Sequence, residues 1–264
     1  MAKLFIGTSG FSYPHWEKGV FYPENWPRSK KLEYYCQHFK TVELNNPFYR
    51  LPQKTAFLSW EKRAPEDFLF AVKVSRFISH VKKLADCQEP WKIFLERALN
   101  LKEKLGPFLF QLPPGWKKDA KRLSDFIEML KKNSPKNLRF AFEFRNETWC
   151  DKEIYKILKE KNCAWVVVDS PHWPKREEIT ADFVYIRMHG SQVLFSSKYT
   201  KEELSSLAQK IKNWLEEKLD VYCYFNNDAH GYAIENAREL LRICKNLTFG
   251  TREQEGSLKD FPEN

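Results

Sequence analysis

Three short stretches place polar, mostly ionisable side chains two residues apart: Glu43 and Asn45 in VELNN, Glu143 and Arg145 in FEFR, Arg187 and His189 in IRMH. Residues two apart share one face of an extended strand. Paired carboxylates can act as acid and base, or as nucleophile and acid, on a bond such as a glycosidic link. Arginine offers a planar fork to a carboxylate or phosphate. Histidine can carry protons, here oriented by Asp169 or Glu143. Lys73 and Gln111 add a cation and an amide from two further apolar runs. This set reads as acid–base chemistry on an anionic, polar compound, phosphorylated or sugar-like. Glu43, Glu143, His189 and Asp169 are the proton-transfer candidates, and Lys73, Arg145 and Arg187 the anion binders. A plainer alternative stands beside it: Glu43 with Arg187, or Glu143 with Lys73, could be packed ion pairs that only neutralise each other.

Further groups lie next to these. The Ser9–Gly10 turn could offer backbone N–H groups to an anion. Tyr13, Trp16, Tyr49 and Trp149 follow the ends of apolar runs, where they could stack on a sugar or base or pack loops onto a rim. Asn226 and Asn227 in FNND could bind a polar ligand, or tie the last strand to the last helix with Asp228 as its N-cap. No Walker loop or dinucleotide fingerprint is present, so no cofactor is expected. A single divalent cation on Glu43, Glu143, Asp169 or His189 is the open alternative, without a ligand-spacing signature. A multi-metal nuclease cluster is not expected, because only His189, with His230 nearby, lies at a strand end.

Eight apolar runs must position these groups: KLFIG (3–7), TVEL (41–44), FLFAVKV (68–74), PFLFQL (107–112), RFAFEF (139–144), AWVVVD (164–169), FVYIRMH (183–189) and VYCYF (221–225). Most are continuously apolar, as strands buried on both faces are. Helical patterns separate them at 29–39, 54–63, 90–105, 119–132, 151–161, 200–219 and 231–244, with a Thr200–Glu203 capping box and Gly106-Pro107 as a helix stop. Between 169 and 183 the crossover is short or irregular. Eight strand–helix alternations over about 250 residues predict a single-domain (β/α)8 TIM barrel of parallel strands, residues 1–250, with a polar tail at 251–264. A doubly wound sheet is the rival, but the turn after the first strand reads TSGF rather than a Gly-rich fingerprint. Charges cannot sit beneath the helices without large desolvation costs. The pairs should therefore point into the barrel at the carboxyl ends of the strands, where barrel enzymes place their active sites.

The chain has 264 residues, 44 basic and 35 acidic, for a formal charge of +9. That permits a small anionic substrate, and as a second reading a nucleic-acid or ligand-binding protein without catalysis. The lysines are scattered as solvated helix faces are. Six cysteines without a C-x-x-C pair read as reduced, packed thiols. The N-terminal apolar run is too short for a signal peptide, and no stretch approaches a membrane span. The expectation is a soluble, cytoplasmic protein with no membrane partner; the residues leave its oligomeric state open.

Six motifs in order along nearly the whole chain, GTSGF (7–11) with Tyr13 and Trp16, TVELNNPFYRLP (41–52), EFRNETW (143–149), VVVD (166–169), YIRMHG (185–190) and YFNNDAHGYAIENA (224–237), resemble the YecE-like family, the domain of unknown function numbered 72. The resemblance implies a TIM barrel with a polar pocket at the strand ends, and supplies no settled activity. Its motif positions fall here on Thr8, Ser9, Gly10, Tyr13, Trp16, Glu43, Asn45, Tyr49, Glu143, Arg145, Trp149, Asp169, Arg187, His189, Gly190, Asn226 and Asn227. The stretch GSQVLFSSKY after His189 departs from the acidic and aromatic insert of some relatives, so a loop of different shape is expected there.

Overall fold

The computed structural model describes residues 2–17 and 19–256, with side chains described as far as residue 247. Each of the eight apolar runs forms a strand: β1 (Leu4–Thr8), β2 (Thr41–Leu44), β3 (Leu69–Lys73), β4 (Leu105–Gln111), β5 (Phe140–Glu143), β6 (Ala164–Asp169), β7 (Phe183–Met188) and β8 (Asp220–Phe225). All pairings are parallel, in the order β1-β8-β7-β6-β5-β4-β3-β2. The register sets Gln111 beside Glu143, and Thr8 beside Phe225. This is the (β/α)8 barrel that the alternation predicts.

The cylinder closes differently at its last joint. Between β1 and β2 there is one isolated bridge, Ser9 to Glu43, with the Gly10 N–H donating to the Glu43 carbonyl at 2.8 Å. Below it a side chain replaces the ladder. The Tyr35 hydroxyl, from helix α1 (Lys31–Cys36), accepts from the Thr8 N–H at 3.0 Å and donates to the Thr41 carbonyl at 3.2 Å. Both backbone groups would otherwise be buried without a partner. Gly7 makes room for this: a Cβ there would fall 2.3 Å from the Thr41 carbonyl oxygen.

The helices follow as α2 (Asn46–Tyr49), α3 (Lys54–Arg63), α4 (Gln88–Ala98), α5 (Ala120–Lys132), α6 (Lys152–Glu160), α7 (Lys201–Glu216) and α8 (Tyr232–Gly256). Side-chain caps fix the starts of three of them, Asp119 for α5, Asp151 for α6 and the Thr200–Glu203 box for α7. The pattern at 90–105 does not form one helix. α4 gives way at Ala98 to a 3-10 stretch, and Lys102 takes φ 52 to turn the chain into β4. Gly106 and Pro107, the expected helix stop, therefore lie inside β4. No helix joins β6 to β7, as the short crossover implied. α8 runs through Gly256, into the stretch expected as a tail, whose remainder, 257–264, lies outside the described residues.

Two packed layers result. Rings such as Trp91, Phe108, Phe110, Phe140 and Phe142 fill the space between strands and helices. Phe5, Ala71, Leu109, Ala141, Val166, Val168, Tyr185, Tyr222 and Tyr224 fill the barrel interior. The interior is thus a plugged core with polar ends, an Arg139–Asp220 pair below and a larger polar cluster above. Among the described residues no disulfide joins the six cysteines. Among the described residues no helix is long and apolar enough to cross a membrane.

Candidate functional site

Strand alternation carries the polar groups onto the apolar plug. Ala71, Leu109, Ala141, Tyr185 and Tyr224 face inward, so Lys73, Gln111, Glu143, Arg187 and Asn226, two residues on, face inward one layer higher. There Arg187 bridges two carboxylates. Its Nη1 donates to Glu143 Oε2 at 2.5 Å and its Nη2 to Glu43 Oε1 at 2.8 Å. Glu43 also accepts from Ser9 Oγ at 2.8 Å and from the Tyr185 hydroxyl at 2.7 Å. Glu143 takes Arg145 Nε at 2.6 Å, and the Arg145 guanidinium lies 3.5 Å from the centre of the Trp173 ring. His189 Nε2 stands 3.8 Å from Glu143 Oε2, too far for a hydrogen bond. Asn226 Nδ2 lies 3.0 Å from His189 Nδ1; with the amide as donor, the ring proton sits on Nε2, which has no partner.

The electrostatics follow from this packing. Burial alone would raise both carboxylates. For Glu43, Arg187 and Lys73 with the Tyr185 and Ser9 hydrogen bonds outweigh it; for Glu143, Arg145 and Arg187 do, and hold it well below the usual range. Both are ionised. Burial and Arg187 push His189 down to about 4, against Glu143, so it is neutral. Burial and the Arg187 charge push Lys73 down to about 7. Its amine lies 4.0 Å from the centre of the Phe48 ring and, among the described residues, makes no hydrogen bond or ion pair.

Above this cluster opens a cavity of about 1110 Å³, at the large end of small-molecule sites. Five basic side chains line it, Arg50, Lys73, Arg76, Arg145 and Arg187, and no Asp or Glu does. Gln111, Asn45 and Asn226 add amides, and Tyr13 and Tyr49 stand at its side. Tyr13 donates to the Ser9 carbonyl, and burial, then Asp228, keep its phenol protonated. Gly10 has φ +90, and a Cβ there would meet the Tyr13 hydroxyl at 2.6 Å, so the turn that seats this ring requires glycine.

The structure thus brings together Ser9, Tyr13, Glu43, Asn45, Tyr49, Lys73, Gln111, Glu143, Arg145, Arg187, His189 and Asn226. Glu43, Glu143 and His189 lie beneath the cavity floor at 0% exposure rather than in its lining. Asp169 does not join them. Val166 and Val168 face inward, so Asp169 faces out toward α7, where it accepts from Tyr199 at 3.1 Å and pairs with Lys175 at 3.3 Å. Trp16 and Trp149 are wholly buried and donate to Asp228 and to the Trp116 carbonyl. Asn227 is also buried, donating to the Ser197 carbonyl and Asn236. Asp228 receives His15 and Trp16 from the loop after β1, instead of capping α8. The four side chains considered for a divalent cation do not converge, and among the described residues no group of three or more His, Cys, Asp or Glu could hold one.

Some residues at the site carry no signal in the linear pattern. Arg76 and His80 reach the cavity because the chain makes a π-helical turn, Phe77–Val81, directly after β3. His80 Nδ1 lies 2.9 Å from Ser79 Oγ, and burial, then the Lys73 charge, push it down to about 4. Trp173 comes from the helix-free crossover after β6 and packs edge-on against His189, ring centres 4.8 Å apart. The nearness of Arg76 to the end of β3 was the only available cue.

Comparison with known proteins agrees with this architecture. The family described as "Protein of unknown function DUF72" matches residues 5–257. The UPF0759 protein YunF of Bacillus subtilis is 24% identical, over 91% of this chain and 94% of its own length. The UPF0759 protein YecE of Escherichia coli K12 is 29% identical over 63% of this chain and 59% of that one. The crystal structure of a DUF72 family protein of Thermotoga maritima superposes with a TM-score of 0.81 at 31% identity, covering 92% of this chain and 99% of that chain.

Proposed function

The chain belongs to the DUF72 family of proteins of unknown function, and from that premise we propose that it is an enzyme that takes an anionic, polar small molecule, phosphorylated or sugar-like, into the barrel mouth and acts on it by proton transfer. One observation carries this reading: four arginines, with Lys73 beside them, and no carboxylate line the cavity. Among the described residues neither Arg50 nor Arg76 has a carboxylate partner, so their charge is available to a ligand. Arg forks in a partly desolvated mouth bind phosphate or carboxylate strongly. The buried Glu43 and Glu143 hold Arg187 and Arg145 in place, since each already accepts two or more charged or hydroxyl donors. Proton transfer then falls to groups near the ligand whose charge is not committed, Lys73 and His80 at the cavity wall and His189 just behind it.

The test is a thermal-shift titration with phosphorylated and unphosphorylated sugars and with short oligonucleotides, since a ligand of the native state raises its melting temperature. Phosphorylated compounds should stabilise the chain, and Arg76→Gln and Arg145→Gln should each remove most of the gain. Stabilisation by oligonucleotides alone, lost with salt but untouched by those substitutions, would move binding to the outer surface and overturn the reading.

A further inference from the structure

Three basic side chains point into the top of the barrel, and two are accounted for. Arg187 holds Glu43 and Glu143, and Arg145 holds Glu143 while stacked on Trp173. Lys73 is 7% exposed and has no such partner. The Phe48 ring gives the charged form a cation–π contact, which alone is a small return for desolvating an ammonium. Anion holding explains it poorly. Burial and two neighbouring guanidiniums bring Lys73 to about 7, so near neutrality much of its charge is gone. What that environment provides is a neutral, unshared amine facing a cavity, which is how a protein makes a lysine nucleophilic.

We propose that the Lys73 amine forms an imine with the carbonyl group of an anionic aldehyde or ketone whose phosphate or carboxylate is held by Arg76 and Arg145. This rests on the reading that the mouth binds an anionic substrate, and names its class. The amine lone pair attacks the carbonyl carbon, and the C=O π pair moves to oxygen, which takes up a proton. The carbinolamine then loses its hydroxyl as water while nitrogen closes the C=N bond. One amine and one carbonyl give one imine and one water, the two amine hydrogens leaving with the oxygen, and nothing is oxidised or reduced. The neutral His80 is the wall group able to take a proton along this path. A protonated imine draws electrons from the adjacent carbon, so C–H or C–C cleavage next to the carbonyl is the reaction class it serves.

The experiment treats the full chain with glycolaldehyde phosphate and sodium borohydride, which delivers hydride to the imine carbon and fixes the adduct as a secondary amine. Peptide mass spectrometry then locates the adduct. The expected result is one adduct per chain, on Lys73, at least about tenfold above any surface lysine and about tenfold weaker with unphosphorylated glycolaldehyde. Lys73→Arg should abolish it while inorganic phosphate still raises the melting temperature. Should that variant fail to fold, the wild-type map decides alone. Adducts spread evenly over surface lysines, with stabilisation by phosphate still dependent on Arg76 and Arg145, would overturn the imine and leave the anion site standing. Even labelling with no phosphate effect would overturn both.

Discussion

Arg187 reaches Glu143 across the top of the barrel core at 2.5 Å while its other terminal nitrogen holds Glu43, and all three side chains are at most 1% exposed. The relationship is one-sided. Two buried anions share one guanidinium, and although Arg145 also holds Glu143, no other donor touches both. Arg187→Met should therefore cost about 3–5 kcal/mol in urea unfolding at neutral pH, the penalty for stranding buried charges. A loss below about 1 kcal/mol would contradict this bridge.

Lys73 gives a pH signature of its own. Its amine titrates at about 7 in the folded chain against 10.5 when exposed. Between those values the unfolded chain binds more protons, so wild-type stability relative to Lys73→Met should be lowest below pH 7 and recover toward pH 10. The full span is on the order of 5 kcal/mol at most. Chemical denaturation at pH 6, 8 and 10 checks it, and a flat difference would refute it.

His189 should govern part of the acid limb. It sits at about 4 rather than 6.5, so its contribution is complete above pH 6.5 and is lost as pH falls through about 4. His189→Gln should flatten the stability slope in that window by up to about 3 kcal/mol. Unfolding curves at half-unit steps between pH 4 and 7 report it.

Trp173 gives Arg145 its platform. Trp173→Ala should remove about 1 kcal/mol of stability, yet reduce the stabilisation by phosphorylated ligands more strongly, because the guanidinium loses its fixed orientation. Trp173→Phe should retain most of both. Calorimetric titration of the two variants side by side makes the comparison.

At the β1–β2 joint, Tyr35→Phe should cost about 1–3 kcal/mol, since the Thr8 N–H and the Thr41 carbonyl lose their shared partner in a dry site. Hydrogen exchange at the Thr8 amide should quicken while amides in β6 and β7 keep their protection.

Alternation made much of this site legible. Glu143 with Arg145 and Arg187 with His189 were placed on one face by spacing alone, and desolvation cost chose the inward face. The same parity argument, carried through VVVD, puts Asp169 outward; its position as the last residue of an apolar run made it look like the others. Arg76 and His80 were not readable, because a π-helical turn has no linear signature, and Trp173 arrives on a segment with no periodicity. Trp16 and Trp149 show a limit of residue type: an indole beside a strand end can stack on a ligand or donate from a buried loop, and only the fold decides. Burial depth was also invisible: both glutamates are fully buried and paired with arginines.

The side-chain joint between β1 and β2 bears on how the chain assembles. β1 has a full ladder only with β8, more than 200 residues away, and a single bridge to the strand that follows it. On a ribosome, the first strand made waits for the last before it gains a hydrogen-bonded neighbour along its length. Its apolar LFIG segment stays unpaired through most of synthesis, a stretch for chaperones to guard. Ring closure is then the late, non-local step of folding, and the wall that bears Ser9 and Tyr13 is the final piece of the mouth to be set.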